Sequence, residues 1–101
     1  MKMSIKLDEN NFKQEVSQGL VMVDFYTDWC GPCRMLAPIL EQLTNIKVGK
    51  VNGEVSQKLI EENNIHAYPT LIFFKDGLEV QRLIGVHPAK HLQAEIDRLN
   101  A

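Results

Sequence analysis

The stretch Val21–Tyr26 constrains the fold more than any other part of the chain. Its dense run of β-branched, aromatic and other apolar residues is interrupted only by Asp24, the pattern of a central buried strand. A strand of that kind needs cover on both faces, so the segments around it must supply helices. Ile5-Lys6-Leu7 alternates and reads as a short edge strand. Asp8 is a suitable N-cap for a helix carrying Phe12 and Val16 at i,i+4 spacing, ended by Gly19. A second helix is expected from near Cys30 to about Thr44. Pro32 suits its first turn, and Pro38 inside it is expected to kink it. Ile46–Asn52 reads as a strand with Gly49 as a weak point, and Ser56–Asn63 as a short helix with Leu59 and Ile60 inward. Thr70–Lys75 and Leu78–Ile84 form two strands around an Asp76-Gly77 turn. His87-Pro88 opens a last helix with Leu92, Ile96 and Leu99 on one stripe. The order βαβαβαββα implies a mixed sheet covered by helices on both faces.

Size and charge narrow the function classes. The chain has 101 residues, of which 45% are hydrophobic and 24% charged, which fits one globular domain over residues 1–101. The net charge of −2 gives no reason to expect binding to nucleic acid or to an anionic membrane. No apolar run reaches the length of a membrane span. Lys2 and Lys6 are not followed by an apolar leader core, so no secretory signal is expected and the cytoplasm is the default compartment. There, a pairing of the two cysteines should be catalytic or redox-sensing, because the reducing pool removes idle bridges.

The chemistry concentrates in Asp28-Trp29-Cys30-Gly31-Pro32-Cys33. Two cysteines separated by two residues at a strand-to-helix junction can close a small disulfide ring. The first N–H groups of the helix lack helical partners and carry partial positive charge, which favours a thiolate at Cys30. Cys33, one turn deeper, should be shielded. Cys30 would attack a substrate disulfide, and Cys33 would then resolve the mixed disulfide. The competing reading is half of a zinc site, with His87 and His91 as the companion pair. Their internal spacing suits zinc, but the long gap after Cys33 does not resemble a zinc finger. Asp24 either faces solvent on a polar side of the sheet or is a buried carboxylate that needs a reason to be there.

Trp29-Cys30-Gly31-Pro32-Cys33 is identical to the active-site pentapeptide of the thioredoxin family. The resemblance extends along nearly the whole chain, through Val23-Asp24-Phe25, Ala37-Pro38, Lys50-Val51-Asn52, Tyr68-Pro69-Thr70-Leu71, Lys75-Asp76-Gly77 and Ile84-Gly85. It implies the thioredoxin fold, an α/β three-layer arrangement with a five-stranded mixed sheet flanked by four helices. It also implies protein-disulfide reductase activity with no bound cofactor or metal, recycled by an NADPH-dependent thioredoxin reductase. By the same resemblance Asp24 is buried and moves protons for Cys33, Lys50 tunes Asp24, and Pro69 follows a cis peptide bond beside Cys30. Trp29, Gly31, Pro32, Ala67, Tyr68, Gly85 and Val86 would form a shallow apolar patch for disulfide-containing protein substrates. A monomer is expected. Gly31-Pro32 goes with reductants in the family, whereas oxidants and isomerases usually carry His there. A thiol oxidase or isomerase, or a binding module that uses this surface without turnover, are the alternative functions.

The chain departs from the family pattern in several places. Tyr26 and Thr27 stand where Trp-Ala is common, and Arg34 replaces a Lys. Ala67 replaces a frequent Gly, and Tyr68 is bulkier than the usual aliphatic residue. Gly53 stands where an apolar residue is frequent, so the third strand is expected to end early. The segment from Pro38 to Lys50 is shortened. These differences bear on substrate preference and stability and leave the dithiol untouched.

Overall fold

The computed structural model describes residues 4–101; Met1–Met3, and with them the start of the basic N-terminal segment, lie outside the described residues. The elements run β1 (Ile5–Leu7), α1 (Phe12–Glu15), β2 (Leu20–Tyr26), α2 (Gly31–Leu40), β3 (Lys47–Asn52), α3 (Gln57–Glu62), β4 (Thr70–Lys75), β5 (Leu78–Ile84) and α4 (Ala89–Asn100). They build one five-stranded sheet in the order β1-β3-β2-β4-β5. β1 and β2 lie parallel to β3, whereas β4 runs antiparallel to both β2 and β5. The expected mixed sheet is therefore present, with β2 at its centre.

Two apolar clusters lie on opposite faces of the sheet. Val21, Val23 and Phe25 of β2 meet Phe12 and Val16 from the α1 region and Leu59 of α3. Met22 meets Leu36 and Leu40 of α2 and Leu92 and Ile96 of α4 on the other face. The period-two alternation of a strand assigns the rest by parity, which puts Asp24 and Tyr26 on the face covered by α2 and α4. The parallel crossover from β2 to β3 passes through α2. The helix thus starts where the central strand ends, and this junction carries the two cysteines.

Several boundaries differ from the sequence reading. α1 begins at Phe12 with Asn11 as its N-cap, and not directly after Asp8. The Asp8 side chain accepts the Asn10 N–H at 2.8 Å, and its carbonyl accepts the N–H groups of Asn11 and Phe12. Asp8 therefore caps a turn ahead of the helix. α2 ends at Leu40, short of Thr44. Beyond it the Gln42 and Leu43 N–H groups bond three residues back, to Ile39 and Leu40, tightening the chain into turns. Pro38 has no N–H, so it removes a helical bond shortly before this end. Gly49 is a site of close approach and not a weak point, since a Cβ there would collide with the Leu7 side chain on the neighbouring strand. β3 ends at Asn52, ahead of Gly53. The turn residues Asp76 (φ 50°) and Gly77 (φ 88°) are both left-handed, as a two-residue hairpin with the strands' own twist requires. No helix among the described residues is long and apolar enough to cross a membrane.

Candidate active site

The site assembles where β2 runs into α2. Cys30 is the N-cap of α2, with extended backbone, and Pro32 sits in the first turn. The Cys33 N–H donates to Cys30 Sγ at 3.1 Å, so the sulfur takes the capping place usually filled by a serine or aspartate oxygen. A negative sulfur at that place faces unpaired N–H groups and the positive end of the helix, both of which favour it. Cys30 and Cys33 are joined in a disulfide, with Cα atoms 5.2 Å apart. Cys30 is half-buried and Cys33 is buried, at 5% exposure. The outer and inner positions expected of the pair are both observed.

Side-chain hydrogen bonds hold the loop before the helix. The Asp28 N–H donates to Glu54 Oε1, and Asn52 Nδ2 donates to Asp28 Oδ2, tying the loop to the end of β3. Arg34 Nη1 donates to the Asp28 carbonyl from within α2. Trp29 projects from this loop at 84% exposure, as a flat apolar surface beside Cys30. Of the other expected patch residues, Pro32 and Val86 are exposed, and Gly31, Ala67, Tyr68 and Gly85 are half-buried.

Asp24 resolves to the buried alternative. It is 1% exposed, and neither carboxylate oxygen has a hydrogen-bond partner. Burial raises its pKa from 3.8 to about 6, and the positive charge of Lys50 acts in the opposite direction. The register explains the coupling, since Asp24 and Lys50 are paired neighbours on β2 and β3. Lys50 Nζ also lies 4.8 Å from the centre of the Tyr26 ring, a cation–π contact. A cleft of about 180 Å³ lined by Tyr26, Asp28, Cys33, Arg34, Ala37 and Lys50 brings the inner cysteine and the lysine onto one cavity.

The Tyr68–Pro69 peptide bond is cis. Pro69 is buried and lies next to Thr70, which is paired with Phe25 near the end of β2. The loop around it is fastened by the Thr70 hydroxyl donating to the Ala67 carbonyl at 2.7 Å and the Gly85 N–H donating to the Pro69 carbonyl at 2.9 Å. Gly85 makes the second contact with φ of 90°, a conformation that favours glycine.

Sequence reasoning missed four features of the site: the Lys50–Tyr26 contact, the Asn52 and Glu54 anchors of the Asp28 loop, the placement of Arg34 and Ala37 on the cleft, and the fit of Tyr68 to Gly53. In the last, a Cβ at Gly53 would collide with the Tyr68 ring and hydroxyl. Strand parity was the available signal for the first, because Asp24 and Tyr26 sit two residues apart on one face. The four sulfur and imidazole groups of the zinc reading do not form one centre. Among the described residues no three His, Cys, Asp or Glu side chains group together to hold a metal.

A sulfur pair closed across the start of a helix, with one member reachable and the other backed by the core, is built for exchange of disulfides with another molecule. That makes the chain a thiol–disulfide oxidoreductase. Comparison with known proteins narrows the class. The thioredoxin family profile matches residues 3–98. The thioredoxin of Chlamydia pneumoniae is 42% identical over 96 residues, covering 91% of this chain and 94% of that one. The thioredoxin of Bacillus subtilis is 33% identical over 99 residues, covering 93% and 95%. Among solved structures, a variant thioredoxin from Halobacterium salinarum superposes with a TM-score of 0.90 at 28% identity, covering 100% of this chain and 97% of the other. The chain belongs to the thioredoxin family.

Proposed function

We propose that this chain is a general protein-disulfide reductase and electron carrier. Cys30 as thiolate attacks a disulfide of the substrate protein. One substrate sulfur leaves as thiolate, and the other is joined to Cys30. Cys33 gives its proton to Asp24 and attacks Cys30 Sγ. The bond between Cys30 and the substrate breaks, the second substrate sulfur leaves and is protonated, and the Cys30–Cys33 bridge closes. The substrate gains two electrons and the dithiol loses two.

The observation that carries this reading is the Cys30–Cys33 disulfide with its inner cysteine on the cleft that is also lined by Lys50, the charge partner of Asp24. A carboxyl that titrates near 6 can take and return a proton near neutral pH. Lys50 is the group that holds it from rising further. The exposed Trp29 and Val86, with Gly31, Pro32, Ala67, Tyr68 and Gly85 around them, form the docking surface for substrate. The backbone beside Pro69 offers main-chain hydrogen bonds to an extended substrate segment. The reaction uses no prosthetic group. A flavoprotein thioredoxin reductase using NADPH recharges the pair, the recipients include ribonucleotide reductase, peroxiredoxins and methionine sulfoxide reductases, and the chain works as a cytoplasmic monomer.

The test is insulin reduction driven by NADPH and a thioredoxin reductase. The chain is expected to consume NADPH and precipitate insulin, Cys30→Ser to do neither, and Cys33→Ser to accumulate mixed disulfides with its targets. A rate no faster than that of Cys30→Ser overturns the proposal.

A further inference from the structure

Two imidazoles converge at the turn between β5 and α4. Nδ1 of His87 lies 3.2 Å from Nδ1 of His91, with ring centres 5.1 Å apart. On the far side of the first ring, His87 Nε2 lies 3.0 Å from the Ile84 carbonyl oxygen. A carbonyl only accepts, so the hydrogen bond assigns the proton of neutral His87 to Nε2 and leaves its Nδ1 with a free lone pair. Metal-binding histidines are oriented in this way, with one nitrogen donating to a backbone carbonyl and the other turned to the ion. The separation also fits. With metal–nitrogen bonds of about 2.0–2.1 Å, two nitrogens on one ion at right-angled to tetrahedral bite lie about 2.9–3.4 Å apart. Without an ion, a proton on His91 Nδ1 bridges the same gap, and a cation would take the place of that proton.

We propose that His87 and His91 form a two-imidazole chelate, through their Nδ1 atoms, for a divalent transition metal of the copper and zinc class. Among the described residues no third His, Cys, Asp or Glu completes the group, so water fills the remaining positions and the site is open. The positive end of α4 works against a cation here. Glu95, one turn further along the helix, is held by Arg98 and Gln81 and is not a ligand. A bound ion ties the turn that follows Gly85 to the first turn of α4. The Gly85 N–H in turn donates to the Pro69 carbonyl, so the ion would brace the loop that carries the cis peptide bond.

Titration of the full-length oxidised chain with Cu²⁺, and separately with Zn²⁺, tests this, because the closed disulfide keeps both sulfurs from competing. Copper binds nitrogen sites most tightly among these ions and gives the more sensitive probe. Binding of one ion per chain is expected, with paramagnetic broadening by Cu²⁺ confined to the NMR signals around residues 84–91. His87→Ala and His91→Ala should each weaken binding about a hundredfold, since the second contact of a chelate is intramolecular. His87→Gln can still donate to the Ile84 carbonyl and should bind as weakly as His87→Ala, which separates loss of the ligand from loss of the turn. His66→Ala should bind as the unaltered chain does. The proposal is overturned if either histidine variant keeps the original affinity, if His87→Gln restores it, or if His66→Ala weakens it equally.

Discussion

Phe25 and Asp24 are neighbours on β2, equally deep on opposite faces of the sheet, and they do opposite things. Val21, Val23 and Phe25 enter a cluster made only of hydrocarbon and aromatic rings, where Phe12 meets Phe74 edge-on at 5.7 Å and tilts against Phe25 at 6.3 Å. The other row contains Met22, Asp24 and Tyr26 and faces α2. Phe25 is 0% exposed and Asp24 is 1% exposed, so depth does not distinguish them. The hydrocarbon row stabilises the fold by removing apolar surface from water. The Asp24 row holds an ionisable group with no hydrogen-bond partner, which opposes folding when charged. One strand thus carries a purely apolar row on one face and the buried ionisable group on the other, the face covered by α2.

The largest test removes Phe25. Phe25→Ala empties the apolar row and should lower unfolding free energy by about 3–5 kcal/mol in urea denaturation, while the folded fraction keeps its rate of disulfide exchange. A matching loss of exchange rate in the folded protein would break the division between the rows. Asp24→Asn tests the opposite row with the opposite sign. The carboxyl titrates at about 6 in the folded chain and near 3.8 in the unfolded one, so between these values only the folded chain keeps the proton. Stability therefore falls as pH rises through that window and is level above it. At about 1.4 kcal/mol per pH unit, Asp24→Asn should be more stable than the original by about 3 kcal/mol at pH 7 and no more stable below about pH 4. Denaturation at the two pH values reads this directly, and an equal gap at both would remove Asp24 as its source. The same variant should slow the second step of exchange in single-turnover reduction.

Lys50→Met gives the smallest effect. It deletes the charge that lowers the Asp24 pKa, so NMR titration of that carboxyl in the oxidised chain should find it above its present value of about 6. Loss of the contact with Tyr26 should add a stability change of only about 0.5–1 kcal/mol. A carboxyl that stays in place would mean that the two paired strands are not electrostatically linked.

The sequence reading gets furthest where one local rule dominates. The apolar run of β2, the Asp76-Gly77 hairpin and the stripe of α4 each depend on neighbours in the chain, and all three are found where expected. The starts and ends of α1 and α2 are less legible. Asp8 carries cap chemistry that serves a turn, and the end of α2 depends on how Leu43 reaches the core, at 2% exposure, after the helix has stopped. The cysteine pair is legible from spacing because both members belong to one turn of helix. Asp24 is not, because a single carboxylate in an apolar run looks the same whether it faces water or the core. Its face becomes clear only from its parity with Met22. Parity along β2 shows that Asp24 and Tyr26 share a face, but that Lys50 is the residue opposite them follows from the register between β2 and β3, which no spacing along the chain encodes.

The fit of Tyr68 against Gly53 has a consequence for how such a chain can change. A larger residue placed at 53 strikes the tyrosine ring, and a smaller one placed at 68 leaves a hole over the bare backbone. Each altered alone passes through a less stable protein, so the two positions are exchangeable as a couple and resist drifting apart. Anyone transplanting the loop before Pro69 into a relative would have to carry the glycine with it.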